Sequence, residues 1–315
     1  MYPRLTFWLL PALLLVAALS GLLLGSLDWR TVQASSADIV TDLRLSRVLL
    51  AILAGAGLGL SGALTQAVVR NPLASPDLIG VTAGAGLAAT TLMLLWPDLA
   101  FGWLIPAAII GALLAVLVML ALVGRGTLNP SRLVLVGIAL SSWLAALTDW
   151  LLVSHPQKVN MALVWLTGSL WGRGWDHVWI LLPWLLVLVP LALMLSLRLD
   201  LLALGDEAAE GLGANVRRSR LLALLLAVAM AAVSVAVCGA ISFVGLVAPH
   251  LARLLVGGAH HRLLPVTAMV GALLVLVSDI AARTLLAPIE LPAGVLTALI
   301  GAPYFLFLLT RYRGW

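Results

Sequence analysis

Apolar residues in this chain do not alternate with polar ones; they run. Stretches rich in leucine, valine and alanine recur from one end to the other, near 7–27, 47–69, 79–96, 102–123, 133–153, 177–197, 220–238, 242–257, 263–283 and 293–311. A helix needs about 20 mostly apolar residues to cross the hydrocarbon of a bilayer. Only helices and closed barrels satisfy their backbone there, and strand-type alternation is absent. The pattern therefore predicts an all-α polytopic membrane protein of about ten transmembrane helices, a single membrane domain over residues 1–315. Within the second and third runs, "AGAGLGLSGAL" and "VTAGAGLAAT" space small residues so that helices approach closely. Gly55 and Gly59 belong to this set and are candidates for lining a pathway as well as for packing.

Two segments between the runs stand out. Residues 153–177, "VSHPQKVNMALVWLTGSLWGRGWDH", predict an outer loop holding a short helix around Met161–Leu170. Residues 282–292, "ARTLLAPIELP", predict a second outer segment with a short helix before Pro292. The first run, Phe7 to Leu27, follows only Arg4 and lacks a small-residue cleavage site, so it is expected to remain as a span.

Composition agrees with this picture. Of 315 residues, 63% are hydrophobic and 10% charged, too few charges for a normal solvated surface. The net charge of +5 does not point to nucleic acid, because the basic residues are scattered through short loops. Arg30, Arg44, Arg47, Lys158, Arg173 and Arg283 fall on one side of the predicted spans, leaving twelve of the 18 basic residues on the other. Positive charge favours the cytoplasmic side, so both termini are expected inside. The one cysteine, Cys238, excludes a disulfide framework and a cysteine metal site.

One polar stretch lies between apolar runs: "LDLLALGDEAAEGLGANVRRSR", residues 199–220, with Asp200, Asp206, Glu207 and Glu210. At 100° per residue Leu204, Ala208 and Leu212 share one face with Leu201, and Asp206, Glu207 and Glu210 share the opposite one. Acids in a first turn suit the helix dipole, and Gly211 and Gly213 supply a stop. The stretch from Leu204 and Gly205 to Gly213 thus reads as a short amphipathic helix on the cytoplasmic side. Its functional reading is a knob for a cytoplasmic partner; the plain alternative is a solvated loop helix.

Arg44 and Arg47, three apart at the start of the second span, and Arg283, four after Asp279, could capture acidic residues of an external protein. Interfacial anchoring or an Asp279–Arg283 pair explains them equally well. Asp149, near the outer end of the fifth span, is a candidate for lining a polar pathway. His250 suggests packing, and the adjacent His260 and His261 give only a weak metal signal. "GLGLSG" at 57–62 formally matches a dinucleotide loop but lies inside a span, where helix packing explains it. No Gly-Lys-Ser/Thr occurs, so any ATP that drives transport binds another subunit. No catalytic residues and no metal site are expected in this chain.

Several segments carry a family resemblance. "RLSRVLLAILAGAGLGLSGALTQAVVRNPLASPDLIGVTAGAGLA", "LLALGDEAAEGLG", "GAISFVGLVAPHLARLL" and "ELPAGVLTALIGAPYFLFLL" resemble, in order, the iron-siderophore and vitamin B12 permeases of bacterial ABC importers. "LTDWLL", "ALVWLTGSLWGRGWDHV" and "RLDLLALGD" resemble the ferric citrate branch of that family. The resemblance implies a type II importer permease fold in the bacterial inner membrane. It also implies a dimer with a second, related permease or a second copy, and two ATPase subunits that bind ATP and Mg. A periplasmic binding protein delivers the ferric chelate. On this resemblance residues 204–213 are the coupling helix seated on the ATPase, and Arg44, Arg47 and Arg283 meet the binding protein. "RLSR" stands where the family more often has "RLPR". Siderophore, heme and B12 permeases remain alternatives, and an ion-coupled carrier would be expected to show inverted repeats and intramembrane carboxylates.

Overall fold

The structure is a computed structural model and describes residues 3–24, 39–98, 101–124 and 128–311. The described residues form helices joined by short turns. α1 spans Pro3–Leu23, α2 Ser46–Val69, α3 Val81–Leu95, α4 Leu104–Val123 and α5 Pro130–Ser154. α6 is the short Val159–Leu166, followed by α7 Trp175–Met194, α8 Ser196–Ala203 and α9 Asp206–Gly211. α10 spans Val216–Cys238, α11 Val244–Val256, α12 His260–Thr284 and α13 Ala293–Arg311. Among these, α2 (extended back to Val40), α4, α5, α7, α10, α12 and α13 are long and apolar enough to cross a membrane. The apolar parts of α1, α3 and α11 are shorter, 10–17 residues each.

The shortness of α3 and α11 has a local cause. α3 begins after a 3-10 turn, Pro76–Ile79, whose Leu78 carbonyl packs against Gly137 part-way along α5. α11 begins beside Gly62, part-way along α2. At 1.5 Å per residue, 13–15 residues reach only about 20 Å, so each of these helices starts inside the bundle. Broken backbone at that depth needs internal partners. It has them: the Leu246 amide donates to the Phe243 carbonyl, the Ala240 amide to Trp165, and the Ser169 amide to Cys238.

α2 is the central element, packed against α12, α10, α11 and α7. Lipid gives no hydrophobic drive between helices, so contact depends on close backbone approach and interhelical hydrogen bonds. Gly55 and Gly59 meet Gly271 of α12 backbone to backbone, and Gly62 meets Gly245 of α11. Ser61 donates to the Ala227 carbonyl of α10 at 2.6 Å, and Gln66 to the Leu246 carbonyl at 3.4 Å. The 57–62 glycines are thus packing residues.

Two expectations change. The outer-loop helix covers Val159–Leu166 and not Met161–Leu170, because Gly168 turns left-handed (φ +76°) where Ala240 and Ile241 leave no room for a side chain. No helix precedes Pro292: α12 ends at Thr284 and residues 285–289 form a turn. Pro288 lacks an amide hydrogen and disfavours helix at Ala287.

A side chain at Gly62 would overlap the Gly245 carbonyl, whereas one at Gly211 meets nothing within 4 Å. Gly62→Val should lower stability by roughly 2 kcal/mol or more, read as a fall in thermal midpoint in detergent. Gly211→Ala should leave the midpoint unchanged or slightly raised.

Candidate functional site

The bundle has two distinct ends. At one, α9 sits beside the end of α2 and the start of α10; at the other lie α6 and the 285–292 turn. The expected amphipathic helix is present in part. Leu204 and Gly205 form a turn (Gly205 φ +103°), the helix proper is Asp206–Gly211, and Leu212–Gly213 turn the chain back. Asp206 and Glu207 occupy its first turn, where the helix dipole favours them.

Its two faces differ from expectation. Leu204 and Leu212 are 60% and 64% exposed, Ala208 is exposed, and the buried residue is Ala209. The acids also part company. Glu207 and Glu210 point to the surface, while Asp206 turns inward. It accepts from Arg220 of α10 at 2.8 Å and pairs with Arg70, just past α2, at 3.3 Å. Arg220 is 1% exposed and also donates to the Leu128 carbonyl at 2.8 Å. Asp200 of α8 leaves the island too: it accepts from the backbone amide of His260 at 2.9 Å, capping α12, and lies 2.6 Å from that ring's Nδ1. Two carboxylates therefore tie the α8–α9 corner to α2, α10 and α12. No spacing rule marks these pairs, since the partners lie 14 to 136 residues away in sequence. The outward surface left over is Leu204, Glu207, Ala208, Glu210 and Leu212, two exposed leucines framed by two carboxylates.

At the other end the three arginines are turned inward. Arg44, Arg47 and Arg283 are 5%, 9% and 3% exposed. Arg47 bonds Asp279 through Nε (3.0 Å) and Nη2 (2.9 Å), and Glu290 through Nη1 (2.7 Å). Arg283 reaches the same Asp279 at 3.3 Å and donates to the Gly21 carbonyl at 3.0 Å. Arg44 donates to the Leu22 and Leu23 carbonyls at the end of α1, each at 2.9 Å. The internal Asp279–Arg283 pair that the sequence offered is present, with Arg47 answering the same fully buried carboxylate, while Arg44 is held by backbone carbonyls.

Asp149 is exposed and lines a cavity of about 620 Å³ between α3, α5 and the start of α11, with Asp77, Thr82, Ser141, Ser242 and Phe243. In its wall Thr82 donates to Asp77 at 2.5 Å, and Ser141 donates to the Asp77 carbonyl at 3.1 Å. Gly55 and Gly59 are taken up by the α2–α12 crossing and do not line this cavity. His250 packs edge-on against Tyr304, ring centroids 5.8 Å apart.

Asp279→Asn leaves buried Arg283 without a carboxylate and Arg47 with Glu290 alone, and should cost roughly 3 kcal/mol or more. Glu207→Ala and Glu210→Ala should each stay within about 0.5 kcal/mol. Denaturant titration of the purified chain distinguishes the two outcomes.

Residues 9–311 match the model of the FecCD transport family. The permease protein FecD of the Fe(3+) dicitrate transport system of Escherichia coli (strain K12) is 50% identical over 275 residues, 87% of this chain and 86% of that one. The Fe(3+)-citrate import system permease protein YfmE of Bacillus subtilis (strain 168) is 48% identical over 271 residues, 86% of this chain and 81% of that one. The hemin transport permease HmuU of Yersinia pestis is 40% identical over 323 residues, 99% and 97% of the two chains. A solved structure described as a metal-chelate type ABC transporter, inward-facing, has a TM-score of 0.88 at 34% identity. That match covers 99% of this chain and 100% of that one. The broken helices, the α8–α9 corner and the ion-pair clusters at both ends all lie within the matched residues, and the chain belongs to the FecCD transport family of ABC importer permeases.

Proposed function

We propose that this chain is the membrane-spanning subunit of an importer for a ferric chelate, iron(III) dicitrate in the first instance. Separate ATPase subunits bind and hydrolyse the ATP. The identity to the dicitrate permease FecD over most of the chain supports the chelate, and the α8–α9 corner supports the coupling. In this reading the ten apolar helices all cross or enter the membrane, with the α9 end and both termini in the cytoplasm. A second, related permease subunit pairs with this one, and a periplasmic binding protein delivers the chelate at the α6 end.

The observation that carries the mechanism is how α9 is held. Its outward face offers Leu204 and Leu212, which water disfavours, flanked by Glu207 and Glu210. Such a face suits a cleft with an apolar floor and a basic rim on an ATPase subunit. Its inward face is bound through Asp206 to α10 and α2 and, through Asp200 on α8, to α12. A displacement of α9 by closing ATPases therefore passes to α2 and to α10 and α12, which pack along it. Because α3 and α11 begin inside the bundle beside the 620 Å³ cavity, a shift of α2 changes the shape of that cavity's wall. Differential contact with open and closed ATPases is what lets the nucleotide bias the outward and inward states.

The test is uptake of radiolabelled iron(III) citrate into proteoliposomes holding this chain with its ATPase, partner permease and binding protein. ATP-dependent uptake is expected, with a fall of about tenfold or more when Leu212→Ser is combined with Glu207→Lys and Glu210→Lys. Uptake of hemin or a hydroxamate chelate but not citrate would change the substrate. Uptake unaffected by the triple variant would remove α9 from the coupling path.

A further inference from the structure

A second cavity, of about 910 Å³, lies at the α6 end, walled by α6, the 167–174 loop and the 285–292 turn. Its size suits a small molecule of several rings or a multidentate chelate. Its lining includes Trp165, Ser169, Trp171, Arg173, His177 and Glu290. The charges in that wall are unbalanced. Glu290 is held at 2.7 Å by Arg47, so its negative charge is already met. Arg173 pairs with no carboxylate among the described residues. It touches instead the His177 ring, Nη1 to Nε2 at 3.0 Å, and its own Nε has no partner. A guanidinium cannot accept a hydrogen bond, so this ring nitrogen accepts from it and the imidazole is neutral at that atom. Trp165, 4% exposed, leaves its indole N–H unpartnered as well.

Two buried donors without acceptors are costly, and each donor lost to the solvent without replacement costs about 1–3 kcal/mol. Donors with no acceptor, around a cation with no anion, call for a ligand that only accepts: a carboxylate or similar oxyanion. Burial also lowers the Arg173 pKa from its ordinary value, the nearby Cys238 thiol offsetting only part of the desolvation. The exposed Trp171 ring on the same wall supplies a flat apolar surface for the carbon skeleton of such a ligand.

We infer that this cavity is a receiving site for the carboxylate groups of an anionic chelate, with Arg173 and the Trp165 indole N–H as the binding donors. His177 is a positioning residue that fixes the Arg173 guanidinium. The inference rests on the proposed ferric-chelate function and deepens it, by giving this chain, and not only a binding protein, a group that selects carboxylate chelates over neutral ones.

The experiment is equilibrium binding of iron(III) citrate, and of a neutral iron(III) trihydroxamate, to the full chain in nanodiscs. Wild type should bind the citrate chelate saturably and the hydroxamate at least about tenfold more weakly. Arg173→Gln should weaken citrate binding by about tenfold or more. Arg173→Lys should recover part of it, since it restores the charge but not the planar fork. Trp165→Phe, which keeps a ring and removes only the N–H, should weaken it severalfold, about the value of one hydrogen bond to a charged group. Absence of saturable citrate binding by wild type overturns the site, as does equal binding by wild type and Arg173→Gln. If Arg173→Gln does not fold, undiminished binding in both Arg173→Lys and Trp165→Phe overturns it. The function itself is judged separately. Arg173-dependent binding with no ATP-driven uptake by the complete importer refutes the function and keeps the site; uptake indifferent to Arg173 does the reverse.

Discussion

Everything in this molecule hangs on the closeness of α2 to its neighbours. In a bilayer an apolar helix face gains nothing by leaving lipid for another apolar face, so helices hold together only where backbones touch or polar groups bond. The Gly55–Gly271 and Gly62–Gly245 contacts meet that demand at two levels of α2, and Ser61 and Gln66 add interhelical hydrogen bonds. With α10, α11 and α12 fixed to one axis, the half-length helices α3 and α11 can begin in the interior and leave space between them. The cavity beside Asp77 and Asp149 is a consequence of that arrangement.

Polar chemistry is placed at the two ends, and it does different work at each. At the α6 end Asp279 is wholly buried and answered by Arg47 and Arg283, which also reaches α1 through the Gly21 carbonyl. That cluster binds α1, α2, α12 and the 285–292 turn into one unit. At the α9 end Asp206 and Asp200 are about one-third exposed, and their partners are the ends of helices that run the length of the bundle. A tie of this kind is weaker than the buried one, and it can adjust while still passing a load to α2, α10 and α12.

The apolar runs made the helices legible in the sequence, because length and hydropathy alone decide whether a segment can lie in lipid. The glycine pattern at 55–62 was equally readable as packing. Legibility failed where a residue's role depends on a distant partner. The Asp279–Arg283 pair was readable from its four-residue spacing, but Arg44 and Arg47 look available in one dimension and are buried in three, since Asp279, Glu290 and the carbonyls of α1 converge on them. Asp206 looks like a surface acid beside Glu207 and Glu210 until Arg220 and Arg70 draw it in. Loop helices were misplaced for a related reason: left-handed Gly168 packs against the Ala240 backbone and the Ile241 side chain, a contact no local pattern records. Arg173 and Trp165 lie in a segment that resembles the ferric citrate branch, but no spacing or periodicity singled them out, and the cavity between them gives them a role.

The central claim is that α9 is the surface through which nucleotide-driven motion enters the membrane domain. Its most direct test is cysteine cross-linking from Leu212→Cys, on the exposed turn after α9, to the ATPase in the assembled importer. The only native cysteine, Cys238, is buried and does not interfere. Cross-linking to the ATPase at high yield, with transport blocked by the cross-link and restored by reduction, is the predicted result. A Leu212→Cys chain that stays freely alkylated in the complete, ATP-hydrolysing complex would contradict it.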